Sequence, residues 1–174
     1  MSRIVAFLVI SIALVAVSQK SLGDPRVHGF YRFFAFESVL IAILLNAPAW
    51  FYDPWSTRQV VSWTLLLGSV ILPVHGFHLL RSVGAPRGGV EDTTRLVTSG
   101  VYRYIRHPLY CSLLLGVWGA FLKRPSQLAG AAAAAASLFT VATAKVEEWE
   151  NLKKFGAEYQ AYRGKTKMFL PFIV

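Results

Sequence analysis

Long blocks of apolar residues run through most of this chain, and they restrict its fold more than any other feature. Hydrophobic residues make up 55% of the 174 residues, and only 16% are charged. The apolar residues come in blocks and not at an amphipathic spacing, which is typical of helices whose whole circumference contacts lipid or protein. A water-soluble fold would have to bury all of these blocks in one small domain. We therefore predict an integral membrane protein.

The blocks predict an all-α, polytopic membrane bundle of about five transmembrane helices in a single domain, residues 1–174. The expected spans are 3–18, 32–50, 60–80, 107–122 and 127–144. The first block resembles a signal peptide, but no convincing small-residue cleavage site follows it. The last two spans are joined by a short turn, and the alanine-rich fifth span predicts that they form a closely packed hairpin.

The chain is strongly basic, with a formal net charge of +9, which raises the question of a nucleic-acid partner. Five spans would place 14 of the 18 Lys and Arg residues on one side of the membrane and four on the other. Because basic loops stay in the cytoplasm, Met1 is predicted to lie outside, and Gly100 and Val174 in the cytoplasm. The predicted location is a prokaryotic inner membrane. Topology and attraction to anionic membrane lipid then account for the charge, without nucleic acid. The pattern defines no oligomeric state.

Two polar clusters interrupt the apolar pattern, both on the predicted cytoplasmic side. In the first, Pro108 opens a helix and His107 precedes it, beside backbone amides that attract anionic groups. The second, Glu147 and Glu148, lies where the fifth span leaves the hydrocarbon. Adjacent carboxylates at that depth need basic neighbours or a ligand amine. The alternative is an ordinary interfacial cap in which glutamates meet water and arginines snorkel.

The connection between the third and fourth spans, residues 81–106, is too long for a simple turn. Its second half is too apolar to remain solvated, so we expect it to fold back on the membrane face. After the fifth span the helix is predicted to continue unbroken to about Gly164, with Leu152, Phe155, Tyr159 and Tyr162 on one face. This cytoplasmic helix is expected to lie over the connection.

Three other features favour structural roles. An intramembrane carboxylate such as Glu37 is a functional candidate, but Arg32 lies within two helical turns and can pair with it. His75 and His78 lack a third ligand in reach, which favours interhelix hydrogen bonds over a metal site. The single cysteine, Cys111, can form no internal disulfide, and we expect it to be buried as an apolar group.

In their order and spacing, the polar motifs closely resemble those of the isoprenylcysteine carboxyl methyltransferase family of integral membrane methyltransferases. The motifs are Leu96-Val97-Thr98-Ser99-Gly100-Val101-Tyr102, then Arg106-His107-Pro108-Leu109-Tyr110, then Glu147-Glu148, Phe155-Gly156, Tyr159 and Tyr162. The resemblance covers roughly residues 90–174. It implies a helical fold unrelated to Rossmann-type enzymes, with S-adenosyl-L-methionine as cofactor and S-adenosyl-L-homocysteine as product. It also divides the domain into a three-helix part, 1–82, and a cofactor-binding core, 84–174, whose last helix covers the pocket.

The resemblance implies a set of site residues. Cofactor contacts are expected at Thr94, Arg95, Leu96, Val97, Tyr102, His107, Pro108, Leu109, Tyr110 and Glu147. The candidate catalytic residues are Tyr104, Arg106 and Glu148, of which Tyr104 and Glu148 would be the nearest bases for an amine acceptor. No metal is expected.

The implied acceptor is a lipophilic or small carboxylate or thiol that enters from the bilayer and is methylated by direct in-line transfer. In the eukaryotic carboxyl methyltransferases an arginine lies four residues before the glutamate that matches Glu147. Here that position is Thr143, so we expect poor methylation of prenylcysteine acids. Two alternatives are open: a membrane reductase that uses NADPH on a sterol-like substrate, since some sterol reductases resemble the same core, and a non-enzymatic membrane scaffold.

Overall fold

The computed structural model describes residues 2–89 and 92–171. Within these residues the chain forms six α-helices, which confirms the all-α prediction. They are α1 (Ser2–Leu22), α2 (His28–Asn46), α3 (Thr57–Ser82), α4 (Pro108–Lys123), α5 (Gln127–Phe155) and α6 (Ala157–Lys165). Short 3-10 turns occupy Ala47–Ala49 and Gly100–Arg103. Met1 and Val174, whose sides of the membrane the sequence predicted, lie outside the described residues.

Four of the helices, α1, α2 with its 3-10 extension, α3 and α5, are long and apolar enough to cross a membrane. The fourth predicted span is α4, which has 16 residues. At 1.5 Å per residue it is about 24 Å long, shorter than a hydrocarbon core of roughly 30 Å. It nevertheless runs antiparallel along α3, from Leu109 beside Gly76 to Lys123 beside Gln59. The prediction of a helical membrane bundle is confirmed.

Contacts between successive helices define which of their ends lie together. Helix α1 ends at Leu22, a short turn before α2 begins at His28, and the backbone N–H of His28 donates to Glu150 near the end of α5. Leu80, near the end of α3, lines a cavity together with residues at the start of α4. These five helix ends form one end of the bundle, which we call the site end. It carries both polar clusters, and the side of the membrane that it faces stays a prediction.

The packing partners of α4 and α5 differ from the prediction of a tight α4–α5 hairpin. Helix α4 packs mainly along α3, and α5 packs mainly along α2. Ala132, Ala133 and Ala136 of α5 form a buried cluster with Ala42 of α2 and Val117 of α4. Small side chains let helix backbones approach closely. The alanine run therefore indicates close packing, as predicted, but its main partner is α2.

The far end of the bundle, opposite the site end, is closed by a buried lysine. Lys123 is 1% exposed, and its Nζ donates to Gln59 Oε1 over 3.0 Å. The same nitrogen lies 3.5 Å from the centre of the Trp63 ring and 5.7 Å from that of Trp50. Cation–π contacts and the amide oxygen compensate for the loss of water around the ammonium. The cluster fixes the ends of α2, α3 and α4 to one another.

Helix α5 ends at Phe155, so the prediction of an unbroken helix to about Gly164 is wrong. Gly156 has φ +56° and ψ −128°, a backbone conformation that glycine adopts more readily than other residues. The chain turns there and continues as α6. The predicted contact with the α3–α4 connection is present, because the Tyr162 hydroxyl donates to the Tyr102 carbonyl over 2.7 Å.

The structure also places the residues for which structural roles were predicted. Cys111 is buried, as expected. Glu37 accepts the Ser11 hydrogen bond through Oε2, while its buried Oε1 has no hydrogen-bond partner in the described part of the chain. The side chains of His75 and His78 are exposed, and residues 2–89 and 92–171 contain no His, Cys, Asp and Glu group able to hold a metal ion.

Gly100, at the start of the second 3-10 turn, is expected to tolerate no side chain. It has φ +60°, and an added Cβ would lie 2.6 Å from Leu79 Cδ1 and 2.9 Å from His75 Nε2. Gly100→Ala should therefore lower the free energy of unfolding by about 1–3 kcal/mol, measured by thermal unfolding of the purified protein in detergent. Gly88→Ala is the matched control, because no atom of residues 2–89 and 92–171 outside its chain neighbours lies within 4 Å of its added Cβ. Equal unfolding temperatures for the two variants would contradict this account.

Candidate active site

A partly enclosed cavity lies at the site end, between the start of α4, the end of α5, α6 and the α3–α4 connection. We call it the polar cavity. It is lined by Leu80, Thr93, Leu96, Val97, Tyr102, Arg106, His107, Pro108, Leu109, Tyr110, Glu147, Asn151, Phe155, Tyr159 and Tyr162. Eight of the ten predicted cofactor contacts are among these residues. The structure thus brings together two sequence clusters that lie about forty residues apart.

Four of the predicted site residues lie outside the cavity lining: Thr94, Arg95, Tyr104 and Glu148. Thr94 and Arg95 are exposed, and their backbone N–H groups donate to the Gly84 carbonyl over 2.9 and 3.1 Å. These two residues shape the connection, and the cavity is lined by their neighbours. Tyr104 is 51% exposed, and the structure does not bring it to the cavity either.

Other lining residues were not assigned to the site from the sequence. Asn151 and Phe155 follow Glu147 at intervals of four residues on α5, so helical periodicity could have identified them. Leu80 lies near the end of α3, and Thr93 lies in the α3–α4 connection. Nothing in the local sequence marks them as site residues.

A buried ion pair holds the base of the polar cavity. Arg106 Nε donates to Glu148 Oε1 over 2.6 Å, and its Nη1 donates to the carbonyls of Arg163 and Thr166. The side chains of Arg106 and Glu148 are 9% and 5% exposed. Buried charges require this kind of compensation. Because the Arg106 guanidinium and the Glu148 carboxylate are both held by these contacts, the geometry favours a positioning role for them over proton transfer.

The chain after α6 pairs with the segment before α4 through the backbone. The Arg106 N–H donates to the Lys167 carbonyl over 2.8 Å, and the His107 N–H donates to the Met168 carbonyl over 3.1 Å. In return, the Lys167 N–H donates to the Tyr104 carbonyl over 3.1 Å. We call this arrangement the tail bridge. It fixes the position of His107 at the start of α4.

Two buried polar atoms on the cavity wall have no hydrogen-bond partner among the described residues, His107 Nε2 and the Tyr159 hydroxyl. His107 Nε2 is 3.5 Å from Glu148 Oε1, which is close but lacks hydrogen-bond geometry. Burial raises the pKa of Tyr159 above its ordinary value, so its hydroxyl stays protonated and can donate. Because buried polar atoms are normally paired, these two indicate a polar ligand.

The start of α4 and Glu147 add complementary charge to the cavity. Pro108 has no N–H, and the backbone N–H groups of Leu109 and Tyr110 come before that of Cys111, which is the first to donate within the helix, to the His107 carbonyl. Such amides favour an anionic group. Glu147, half-buried on the opposite wall, favours a cationic one. The cavity therefore suits a ligand that carries both a carboxylate and an ammonium.

A second cavity, which we call the apolar groove, runs between α2, α3 and α4 with a volume of about 630 Å³. Phe36, Val70 and Phe77 are among its lining residues, and its far end reaches Trp63. Val70 and Phe77 are 60% and 41% exposed on the outer surface of the bundle, so the groove opens toward the bilayer.

Leu109 and Tyr110 line both the polar cavity and the apolar groove. A single layer of side chains therefore separates a polar site at the membrane surface from an apolar one within the bundle. We call this layer the shared wall.

A family profile described as phospholipid methyltransferase matches residues 57–158, more than half of the chain. The chain belongs to the phospholipid methyltransferase family. This is a family of membrane methyltransferases that includes the isoprenylcysteine carboxyl methyltransferase-like proteins, so the predicted resemblance is confirmed. The matched region contains the shared wall and Glu147.

Among relatives in this family, methanethiol S-methyltransferase 2 of Bradyrhizobium diazoefficiens is 29% identical over 152 residues, which cover 76% of this chain and 57% of that protein. Methanethiol S-methyltransferase 1 of the same organism is 29% identical over 119 residues, 67% of this chain and 41% of that protein. A methanethiol S-methyltransferase of Pseudomonas sp. is 24% identical over 137 residues, 73% and 51%. The chain thus spans about half the length of these relatives. No solved structure matches it significantly.

Proposed function

We propose that this protein is an integral membrane methyltransferase that uses S-adenosyl-L-methionine to methylate a small or lipophilic thiol or carboxylate. The observation that carries the proposal is the shared wall between the polar cavity and the apolar groove. A charged methyl donor and an apolar acceptor need different surroundings, yet they must meet at one point. The acceptor would reach the donor beside Leu109 and Tyr110, the two residues that line both cavities.

The residues of the polar cavity fit the donor. Glu147 would pair with its ammonium, and the α4 amides with His107 Nε2 would receive its carboxylate. Tyr102 and Val97, both buried, offer the apolar and aromatic surface that an adenine ring prefers. When bound, the donor supplies a methyl group already activated on a sulfonium.

This chain's own contribution to the reaction is positioning and the exclusion of water. In the proposed reaction, the sulfur of an acceptor thiolate forms a bond to the methyl carbon, while the bond from that carbon to the sulfonium sulfur breaks. The electron pair of the broken bond stays on the departing sulfur. No proton moves once the acceptor is an anion, so no general base is needed at the shared wall.

Two observations bear on the acceptor. The relatives are named for methanethiol, which supports a thiol. Thr143, which stands where an arginine occurs in the eukaryotic carboxyl methyltransferases, is fully buried and donates to the Phe139 carbonyl over 2.7 Å. It lines neither the polar cavity nor the apolar groove. This supports poor methylation of prenylcysteine acids.

Two measurements on the purified protein test the proposal. Calorimetric titration should show binding of S-adenosyl-L-homocysteine and none of NADPH. With cofactor labelled in its methyl group, transfer to methanethiol should exceed transfer to phosphatidylethanolamine or to an S-farnesyl thioacid. Binding of NADPH alone would support a reductase. Binding of neither compound, with no methyl transfer, would support a scaffold and overturn the proposal.

A further inference from the structure

A third recess lies at the site end, between the 3-10 turn Gly100–Arg103 and α6, and we call it the surface cleft. It has a volume of about 470 Å³. The lining residues that carry a charge or a hydroxyl at this cleft are Thr98, Arg103, Glu158, Tyr162, Lys165 and Thr166. Among the described residues, it shares none with the apolar groove, and it shares only Leu96 and Tyr162 with the polar cavity. The surface cleft is therefore distinct from both cavities of the proposed reaction.

The tail bridge brings two positive charges to this cleft. Ile105 and Lys167 pair in a parallel β-bridge. Arg103 and Lys165 each lie two residues earlier on the two paired segments, and both line the cleft. Paired segments run about 5 Å apart, so the two side chains start from neighbouring parts of the backbone. Like charges on neighbouring segments repel each other unless a negative group lies between them.

The carboxylate in the cleft lining does not neutralise these charges. Glu158 lies two turns before Lys165 on α6. Within residues 2–89 and 92–171, the side chains of Arg103, Glu158 and Lys165 form no hydrogen bond or ion pair. All three are exposed. The lining thus has more positive than negative charge, and its cations are available to a ligand.

The C-terminal end of α6, which lies beside the cleft, is already compensated. The last carbonyls of a helix carry partial negative charge, which would disfavour an anion. Here the Tyr162 carbonyl accepts a hydrogen bond from the Thr166 hydroxyl over 2.8 Å. Arg106 donates to the Arg163 and Thr166 carbonyls. A hydroxyl and a guanidinium therefore offset much of the negative charge at this helix end.

We propose that the surface cleft binds a phosphate group between Arg103 and Lys165. A guanidinium offers two parallel N–H donors to phosphate oxygens, and an ammonium adds a compact positive charge. The Thr98 hydroxyl, which has no hydrogen-bond partner in the described part of the chain, is a further donor in the lining. This inference does not depend on the proposed function, because it involves neither the methyl donor nor the acceptor.

A membrane phospholipid is the expected source of the phosphate. The site end is where the membrane-spanning helices meet the lipid head groups, and Leu96 and Ala161 add apolar surface to the cleft. Tyr104, next to Arg103, is 51% exposed, as is common for tyrosine at a membrane interface. A head group held by Arg103 and Lys165 would link the α3–α4 connection to α6, two of the elements that enclose the polar cavity.

Calorimetric titration of the purified protein in non-ionic detergent tests the site with dihexanoyl phosphatidylglycerol, glycerol 3-phosphate and inorganic phosphate. Arg103→Gln and Lys165→Gln should each weaken binding of the tightest probe about 3- to 10-fold, a moderate effect because both positions are exposed. Glu158→Gln should strengthen it about two-fold or more, since it removes a repelling carboxylate. Arg81→Gln and Lys20→Gln, exposed at the same end of the bundle, are the matched controls. They should change the affinity less than about two-fold.

The outcomes separate the source of the phosphate from the existence of the site. Binding of the lipid alone would assign a phospholipid head group, and equal binding of all three probes would assign any phosphate; both results support the site if Arg103→Gln weakens them. No binding of any probe would overturn the inference. An equal loss in Arg81→Gln would also overturn it, because the attraction would then come from the charge of the whole site end. If the Arg103 and Lys165 variants fail to fold, unchanged or weaker binding by Glu158→Gln would overturn the inference.

Discussion

Replacing Arg106 with methionine is expected to destabilise the protein by about 3–5 kcal/mol, the typical cost of breaking a buried ion pair. The substitution removes the donor to Glu148 Oε1 and leaves that carboxylate, 5% exposed, with only the longer contacts to His107 Nε2 at 3.5 Å and Arg163 Nε at 3.4 Å among the described residues. It also removes the bonds to the Arg163 and Thr166 carbonyls. Thermal or denaturant unfolding of the purified protein in detergent measures the loss.

Two further variants define the cause of this loss. Arg103→Met, at an exposed position in the same connection, should leave stability nearly unchanged. The double variant Arg106→Met with Glu148→Met should recover much of the stability, because no unpaired charge then remains buried. A double variant as unstable as Arg106→Met alone would show that the hydrogen bonds to the carbonyls, and not the ion pair, dominate.

The second large effect is expected on ligand binding. Glu147 is half-buried on the wall of the polar cavity, and we propose that it receives the ammonium of the cofactor. Glu147→Gln should weaken binding of S-adenosyl-L-homocysteine by about 1.5–3 kcal/mol, or roughly 10- to 150-fold, the range for a hydrogen bond to a charged group. Calorimetric titration gives the value directly.

Glu158→Gln is the control for this substitution. Glu158 lies on α6, near the same end of the bundle, but it is exposed and lines no part of the polar cavity. Both substitutions remove one negative charge, so a general electrostatic effect would appear in both. Unchanged affinity in a correctly folded Glu147→Gln protein would remove Glu147 from the site.

The helices could be predicted from the sequence because the bilayer leaves few alternatives. In hydrocarbon every backbone polar group must be satisfied within the segment, so a long apolar block becomes a helix. The observed boundaries of α1, α3 and α4 lie within four residues of the predicted ones. Helix α5 continues past its membrane span at its polar end, which carries Glu147, as predicted, but it ends at Phe155 and not at about Gly164.

The pairing of these helices could not be predicted in the same way. A helix surrounded by lipid or protein on all sides has no single apolar face to indicate its partner. The choice of α3 for α4 depends on close approaches such as Gly119 beside Leu66 and Gly68 beside Leu115. These matches between small and large residues exist only between two complete helix surfaces. The sequence of either helix alone does not contain them.

The position of the polar cavity could be predicted more accurately than the orientation of its loop residues. Eight predicted contacts line the polar cavity, but Thr94 and Arg95 do not, while Thr93 does. The bonds of Thr94 and Arg95 to the Gly84 carbonyl decide this difference. Such bonds link residues ten and eleven positions apart across an irregular connection. No helical or strand period governs which side chains of that connection point inward.

The tail bridge has a consequence for the order in which the protein matures. Lys167 and Met168 follow every membrane helix in the chain, so they leave the ribosome after the segments that insert into the bilayer. Arg106 and His107 obtain their backbone partners only then. A nascent chain can therefore be inserted while its polar cavity is still incomplete. Biosynthesis would separate membrane insertion from the ability to take up a ligand, and a translation product interrupted after α5 would reach the membrane without a complete cavity.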